Sequence, residues 1–271
     1  MARPLPRCVQ LGQSGGVSES GHNPYVRLDR ALVARGLSRT RARARDAILR
    51  GTVRVDGDTN RKPGTMIGER VSLTIDDPAS DYVARSALKL AHGLDAFGII
   101  VDGEHALDIG ASTGGFTQVL LERGAAHVTA VDVGRGQLHP MLAADPRVTS
   151  IEGLNARDLN ASHLASSPGI VVTDVSFISL RLALPQALAL ARDGAVAVLL
   201  VKPQFELGRG ALDKRGIVRD PAEAERAATG LRDFLAGEPG WRALGLEPSP
   251  IMGGDGNAEW LLCGRKESGI G

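Results

Sequence analysis

Four stretches of this chain are apolar almost without interruption, and each ends on a polar residue. They are "HALDIG" (residues 105–110), "HVTAVDVG" (127–134), "GIVVTDVSF" (169–177) and "AVAVLLVKP" (195–203). A strand with one wet face alternates apolar and polar residues, whereas a strand covered on both faces does not. Helix-length segments separate them, notably "GFTQVLLERG" (115–124) and "SLRLALPQALALARDG" (179–194). Strand–helix alternation of this kind predicts an α/β fold with a parallel sheet between helices. "RVTSIEG" (147–153) adds a shorter strand, residues 222–236 a further helix, and "GWRALGLEPSP" and "GNAEWLLCGR" two closing strands. Aromatic residues make up only 3% of the 271, so the core must be built from Val, Leu, Ile and Ala.

The N-terminal part reads differently. Residues 1–24 are Gly/Ser/Pro-rich without periodicity and are expected to be a disordered tail. Residues 25–75 predict a small α+β module. Leu28, Ala31 and Leu32 mark a short helix closed by Gly36; Ser38 is positioned to cap a second helix, whose apolar face holds Ala42, Ala47, Ile48 and Leu49. "TVRVDG" is a strand turning at Asp56-Gly57, and "RVSLTI" is another. Residues 76–82 read as a linker and 83–271 as the large domain, entered by a helix whose stripe is Leu88, Ala91 and Leu94, with Lys89 beside it. Residues 26–62 carry eleven Arg and Lys against four Asp, although the whole chain has a net charge of only +1. A basic module on a mildly acidic body fits an enzyme that handles nucleic acid. Arginine predominates over lysine, which suits phosphate recognition.

The segment "ALDIGASTGGFT" joins the first strand to its helix. Its glycines, Gly110, Gly114 and Gly115, are not spaced as G-x-G-x-x-G, and no Lys-Ser/Thr pair follows, which disfavours dinucleotide and nucleoside-triphosphate loops. Asp108 ahead of the loop would repel a pyrophosphate but can accept from an amino-acid ammonium. Asp132 ends the second strand, where an acid can hold ribose hydroxyls. Asn155 and Asp158, in "GLNARD", follow the third strand, where an adenine would lie. Amine, ribose and base together describe S-adenosylmethionine, with Ala111, Ser112 and Phe116 completing the loop around it. Acids at such positions also cap turns.

Asp174 and Lys202 end the fourth and fifth strands, Glu259 opens the last, and Lys89 lies on the helix before the sheet. Ligands of open α/β sheets bind at the carboxyl ends of the strands, so two lysines and two acids are expected in one crevice. A lysine snorkelling from a strand end is the plainer reading of Lys202 taken alone.

Two resemblances follow from these motifs. "LDRALVARGLSRTRARARDAILRGTVRVDG…KPG" resembles the RNA-binding domain first seen in ribosomal protein S-four. "ALDIGASTGGFTQVLLERGAAHVTAVDVG", "VVTDVSFISL", "LVKPQFELGRG" and "GNAEW" resemble the FtsJ type of 2′-O-methyltransferase. Together they look like the TlyA family of ribosomal RNA methyltransferases, also called the haemolysin A family. The resemblance implies a Rossmann-like methyltransferase domain with a mostly parallel seven-stranded sheet, and S-adenosylmethionine as cofactor. It further implies methylation of a cytidine 2′-hydroxyl in ribosomal RNA within ribosomal subunits. Lys89, Asp174, Lys202 and Glu259 would be the catalytic tetrad, with Lys202 acting on the hydroxyl as base or electrostatic stabiliser. Arg27, Arg30, Arg39, Arg41, Arg43, Arg45, Arg50 and Arg85 would meet RNA. Two departures stand out. The family's Ser-Arg-Gly-x-x-Lys reads "ARSALK" here, with Ser86 for glycine, and the short "CGRKESGIG" end leans toward action on the large subunit alone.

Cys8 and Cys263 form no motif and the six histidines have no metal spacing, so neither a disulfide framework nor a metal site is expected. No apolar run approaches the roughly 18 residues of a membrane span and no secretion signal is visible, so a cytoplasmic location without a membrane partner is expected. The competing readings are a methyltransferase for proteins or small molecules, a membrane-active haemolysin, and a non-catalytic RNA-binding assembly factor.

Overall fold

The computed structural model describes residues 7–8 and 25–268, which divide into two compact units at Asp81/Tyr82. The expectation of a disordered tail falls on residues outside this description, except at β1 (Arg7–Cys8), which pairs antiparallel with β6 (Leu73–Ile75).

In the N-terminal unit, β2 (Tyr25–Arg27) leads into α1 (Leu28–Ala34) and α2 (Arg41–Arg50). These are followed by β3 (Val53–Val55), β4 (Asp58–Thr59), β5 (Met66–Gly68) and β6. The two helices share a core of Leu28, Leu32, Ala44 and Ile48 with Val53 and Ile67. The cap of α2 is Thr40, whose hydroxyl accepts from Arg43 N; the expected cap, Ser38, instead donates to the Thr40 carbonyl. The buried face of α2 is Ala44, Ala47 and Ile48, spaced i, i+3 and i+4, while Ala42 and Leu49 are exposed. Asp56 and Gly57 both take left-handed φ values (51° and 91°), the geometry of a tight hairpin turn.

The larger unit begins with α3 (Ala87–Ala96). Then come β7 (His105–Ile109), α4 (Gly115–Glu122), β8 (His127–Asp132), α5 (Pro140–Ala143) and β9 (Val148–Glu152). Next are β10 (Ile170–Thr173), α6 (Leu180–Ala183), α7 (Pro185–Leu190) and β11 (Val196–Val201). The remainder is α8 (Pro203–Glu206), α9 (Pro221–Gly237), β12 (Trp241–Pro248) and β13 (Trp260–Lys266). The helix expected over 179–194 is two helices because Pro185 cannot continue the first and opens the second.

The sheet has seven strands in the order β12-β13-β11-β10-β7-β8-β9, with only β13 running against the others. The strand order reverses between β7 and β10. Loops leaving those two strands diverge there, and this is where a doubly wound sheet opens a crevice.

Period-two alternation sorts the strand residues between two cores. Ala106, Val172, Val196, Val198, Leu200, Leu261 and Cys263 pack with α3 and α4. Leu107, Ile109, Val171, Ala197, Leu199, Val201 and Leu262 pack with α6, α7 and α9. Continued to the strand ends, the first phase reaches 108, 174, 202 and 259. On α3 the inward residues are Ala87, Lys89, Leu90, Gly93 and Leu94, so Lys89 lies on the buried face of the helix, not beside it.

Candidate active site

The crevice is bordered by Ala84, Ser86, Gly110, Gly115, Asp174 and Lys202, among others. One lysine–carboxylate pair lines it, and a second, buried pair lies on the neighbouring segment. Lys202 Nζ lies 2.6 Å from Asp174 Oδ1 and donates to Ser176 Oγ at 2.9 Å. Lys89 Nζ donates to Glu259 Oε2, and these two residues are only 5% and 4% exposed. Burying an unpaired charge is costly, so each lysine requires its acid in place. The register of β11 on β13, Val201 against Trp260, sets Lys202 and Glu259 on adjacent chain segments at one edge of the sheet. The four tetrad residues therefore meet in two pairs at the carboxyl edge.

The glycine loop is shaped by close approach. A β-carbon at Gly110 (φ 82°) would sit 3.0 Å from the Asp174 carbonyl oxygen, and one at Gly114 (φ 97°) would collide with Leu138 and Leu142. Gly115 lies against Ser86, which occupies the place of the family glycine. The Asp132 carboxylate accepts from Ser112 N (2.8 Å) and Gly134 N (2.7 Å), so it fixes the loop. Ser112 itself has a left-handed φ of 47°. Ala111 and Phe116 are buried at the crevice wall.

Asp108 is wholly buried. Thr117 Oγ1 donates to one carboxylate oxygen at 2.7 Å, while the other, Oδ1, is buried without a partner. Burial, reinforced by Asp174 and Asp132 nearby, pushes its pKa up to about 7. An orphaned carboxylate oxygen at the head of a glycine loop fits a ligand ammonium. Asn155 and Asp158 lie on the turn after β9. Asn155 accepts from Arg157 N, Asp158 is exposed, and neither borders the crevice lined by Gly110 and Asp174. Among the described residues, no group of three His, Cys, Asp or Glu is arranged to hold a metal ion.

Three features had no clear sequence signal. Ser176 accepts from the Lys202 ammonium beside Asp174. Phe177 is 91% exposed and has a left-handed φ of 65°, rare for a bulky residue. Its ring lies 5.2 Å from that of Phe205, over which the Lys202 ammonium sits at 6.0 Å. Finally, Glu206 accepts from Leu180 N and Ser179 Oγ, joining the segment after β11 to the segment after β10.

The basic unit separates its arginines. Arg27 and Arg41 each lie 3.0 Å from Asp29, whose carboxylate they hold down to about 2. Arg50 grips Asp46 and Asp77 and is largely covered. Arg30, Arg39 and Arg45 are exposed, Arg43 is half-buried, and Arg85, in the larger unit, donates to the Met252 carbonyl.

The FtsJ-like methyltransferase model matches residues 82–266, and the S4 domain model matches residues 26–70. The chain belongs to the FtsJ-like methyltransferase family. It is an enzyme of that family with an S4 domain ahead of the catalytic unit. It is 45% identical to the 16S/23S rRNA (cytidine-2′-O)-methyltransferase TlyA of Mycobacterium tuberculosis, over 90% of this chain and 91% of that one. Hemolysin A of Brachyspira hyodysenteriae is 38% identical over 87% of this chain and 98% of its own. A solved structure named as a hemolysin from Streptococcus thermophilus superposes with a TM-score of 0.70, at 39% identity, covering 90% of each chain. The FtsJ-like family assignment and the paired lysines agree on methyl transfer. No helix among the described residues is long and apolar enough to cross a membrane.

Proposed function

We propose that the protein transfers the methyl group of S-adenosylmethionine to a cytidine 2′-hydroxyl of ribosomal RNA, in the cytoplasm where ribosomes are. The observation that carries this is the Lys202–Asp174 pair at the crevice beside the glycine loop, with the buried Lys89–Glu259 pair on the adjoining segment at the same sheet edge. The similarity to the Mycobacterium enzyme supports the substrate. That relative is named for both 16S and 23S RNA and aligns over about nine-tenths of each chain.

The residues present fit the cofactor. Asp108 would receive its ammonium, the turn at Gly110–Gly115 would admit the chain and sulfonium, Asp132 the ribose, and Asn155 and Asp158 the adenine edge. The cofactor supplies an electrophilic methyl; the protein's part is alignment and the proton. Lys202 spends one N–H on Asp174 and one on Ser176, which leaves the third for the 2′-oxygen. That N–H would stabilise the negative charge developing on the 2′-oxygen, and the hydroxyl proton would be taken up by the Asp174 carboxylate, relayed through Lys202. Lys89, fixed by Glu259, steers the ribose or its phosphate. Phe177 offers a wet aromatic face where an unstacked cytosine would lie. Arg30, Arg39, Arg41, Arg43 and Arg45, with Arg85 in the larger unit, would contact RNA phosphates.

The test is transfer of labelled methyl to separated ribosomal subunits, followed by mapping of the modified ribose. Lys202→Ala is expected to lower kcat by about a hundredfold or more, the scale of one lost electrostatic donor, with cofactor affinity within twofold. Turnover at the parental rate would refute the assignment.

A further inference from the structure

We propose that the hairpin formed by residues 211–219 is a phosphate-contacting arm of the catalytic unit, tied by Asn257 to the turn that carries Glu259. The inference rests on the RNA reading above and adds a site to it.

The hairpin is built to stand by itself. Leu212 bridges antiparallel to Val218, Asp213 N donates to Ile217 O, and Arg219 N donates to Ala211 O. The Asp213 carboxylate accepts from Arg215 N at 2.7 Å and Ile217 N at 2.9 Å, and the backbone bonds lower its pKa. Its backbone is thus largely satisfied within the hairpin, and its tip presents Lys214 and Arg215, both exposed, with Arg215 Nε held loosely 3.3 Å from Asp213 Oδ2.

The connection to the active site is a buried amide. Asn257, 2% exposed, accepts from Val218 N and donates to Gly216 O, each at 2.9 Å. Its side-chain carbonyl and amide are both engaged by the hairpin. Its own backbone carbonyl accepts from Gly253 N, and a β-carbon at Gly253 would stand 2.6 Å from Glu259 Oε1. Ile217 packs within 3.8 Å of the β-carbon position of Gly256. The hairpin therefore grips the 253–257 turn, and two residues on is the acid that holds Lys89.

Placement selects the ligand. Glu259 and Asn257 precede β13 at the carboxyl edge of β11, the edge where Lys202 stands. A polyanion delivering a ribose to Lys202 reaches that edge, and two exposed cations on a rigid hairpin suit its phosphates. Phosphate occupancy at the tip then bears on the Glu259 turn through Asn257, a positioning residue.

The experiment uses the full chain and ribosomal subunits. Lys214→Glu/Arg215→Glu, a surface change, is expected to raise KM about tenfold or more and to flatten the dependence of log affinity on log salt by roughly two. Melting temperature and cofactor affinity should stay unchanged. The same double variant should lower kcat about threefold in the parent but not in Asn257→Ala, because coupled positions are non-additive. An unchanged KM and salt slope would overturn the arm. Losses in kcat that multiply between the two backgrounds would overturn the tie. The salt slope is read from RNA binding alone, so it still judges the arm if the protein proves to transfer no methyl to ribosomal RNA.

Discussion

Asp108 shows how one buried side chain ties binding to pH. Its pKa stands near 7 in place of the usual 3.8, so the folded, ligand-free protein holds a proton that the unfolded chain has released. Its contribution to stability is therefore complete below about pH 4 and is lost as pH rises through 7. A ligand ammonium needs the carboxylate, so S-adenosylmethionine affinity should climb as pH passes 7, until the ligand's own ammonium deprotonates above about pH 8. Asp108→Asn should flatten both profiles; titration calorimetry and thermal melts across pH 5–8 check this. Phe177 gives a second prediction at this scale. Phe177→Ala should raise KM for RNA by roughly tenfold, since a stacked base is worth about 1–3 kcal/mol, and leave cofactor affinity unchanged. Phe177→Gly should melt higher than Phe177→Ala, because glycine accepts a φ of 65° without strain. Equal melting temperatures would show that the turn is not strained.

Among the elements, α2 and its neighbours show what a sequence conveys and what it conceals. The hydrophobic runs of β7, β8, β10 and β11 are legible because burial on both faces leaves no alternative pattern. That Lys202 and Asp174 would come together was legible because both end strands of one parallel sheet. Helix detail was not: both Ser38 and Thr40 are competent caps, and Leu49, apolar but off the i, i+3, i+4 face of Ala44, Ala47 and Ile48, is left exposed. Lys89 was misplaced for a related reason, since an aliphatic stripe of Leu88, Ala91 and Leu94 hides the fact that an ammonium can be buried when Glu259 meets it from 170 residues away. The ion pairs of Arg27 and Arg41 with Asp29 and of Arg50 with Asp77 were not legible, because only the fold assigns those partners. Asp29 bears on this module directly. Its pKa near 2 means its contribution is present above about pH 4 and disappears as pH falls through 2. Asp29→Ala should destabilise the N-terminal unit by about 1–3 kcal/mol, read as a lower urea midpoint at pH 7 and a smaller deficit near pH 2.

At the scale of the molecule there are two units, one matching the S4 domain and one the FtsJ-like methyltransferase. Each has its own apolar core, so residues 82–271 expressed alone should fold and bind cofactor as the full chain does. Their affinity for ribosomal subunits should fall at least tenfold, since the basic surplus lies in the other unit. Retained subunit affinity would move RNA recognition onto the catalytic unit. The alternation of the sheet has one more result. Asp108, Asp174, Lys202 and Glu259 all continue the strand phase that packs on α3 and α4. Deleting one residue from β11 would swing the ammonium onto the α9 side of the sheet and leave a well-packed but inert protein, whereas deleting two would restore its aim at the expense of length. Length changes within these strands are thus a test of parity: odd ones silence the enzyme, and even ones leave it impaired but active.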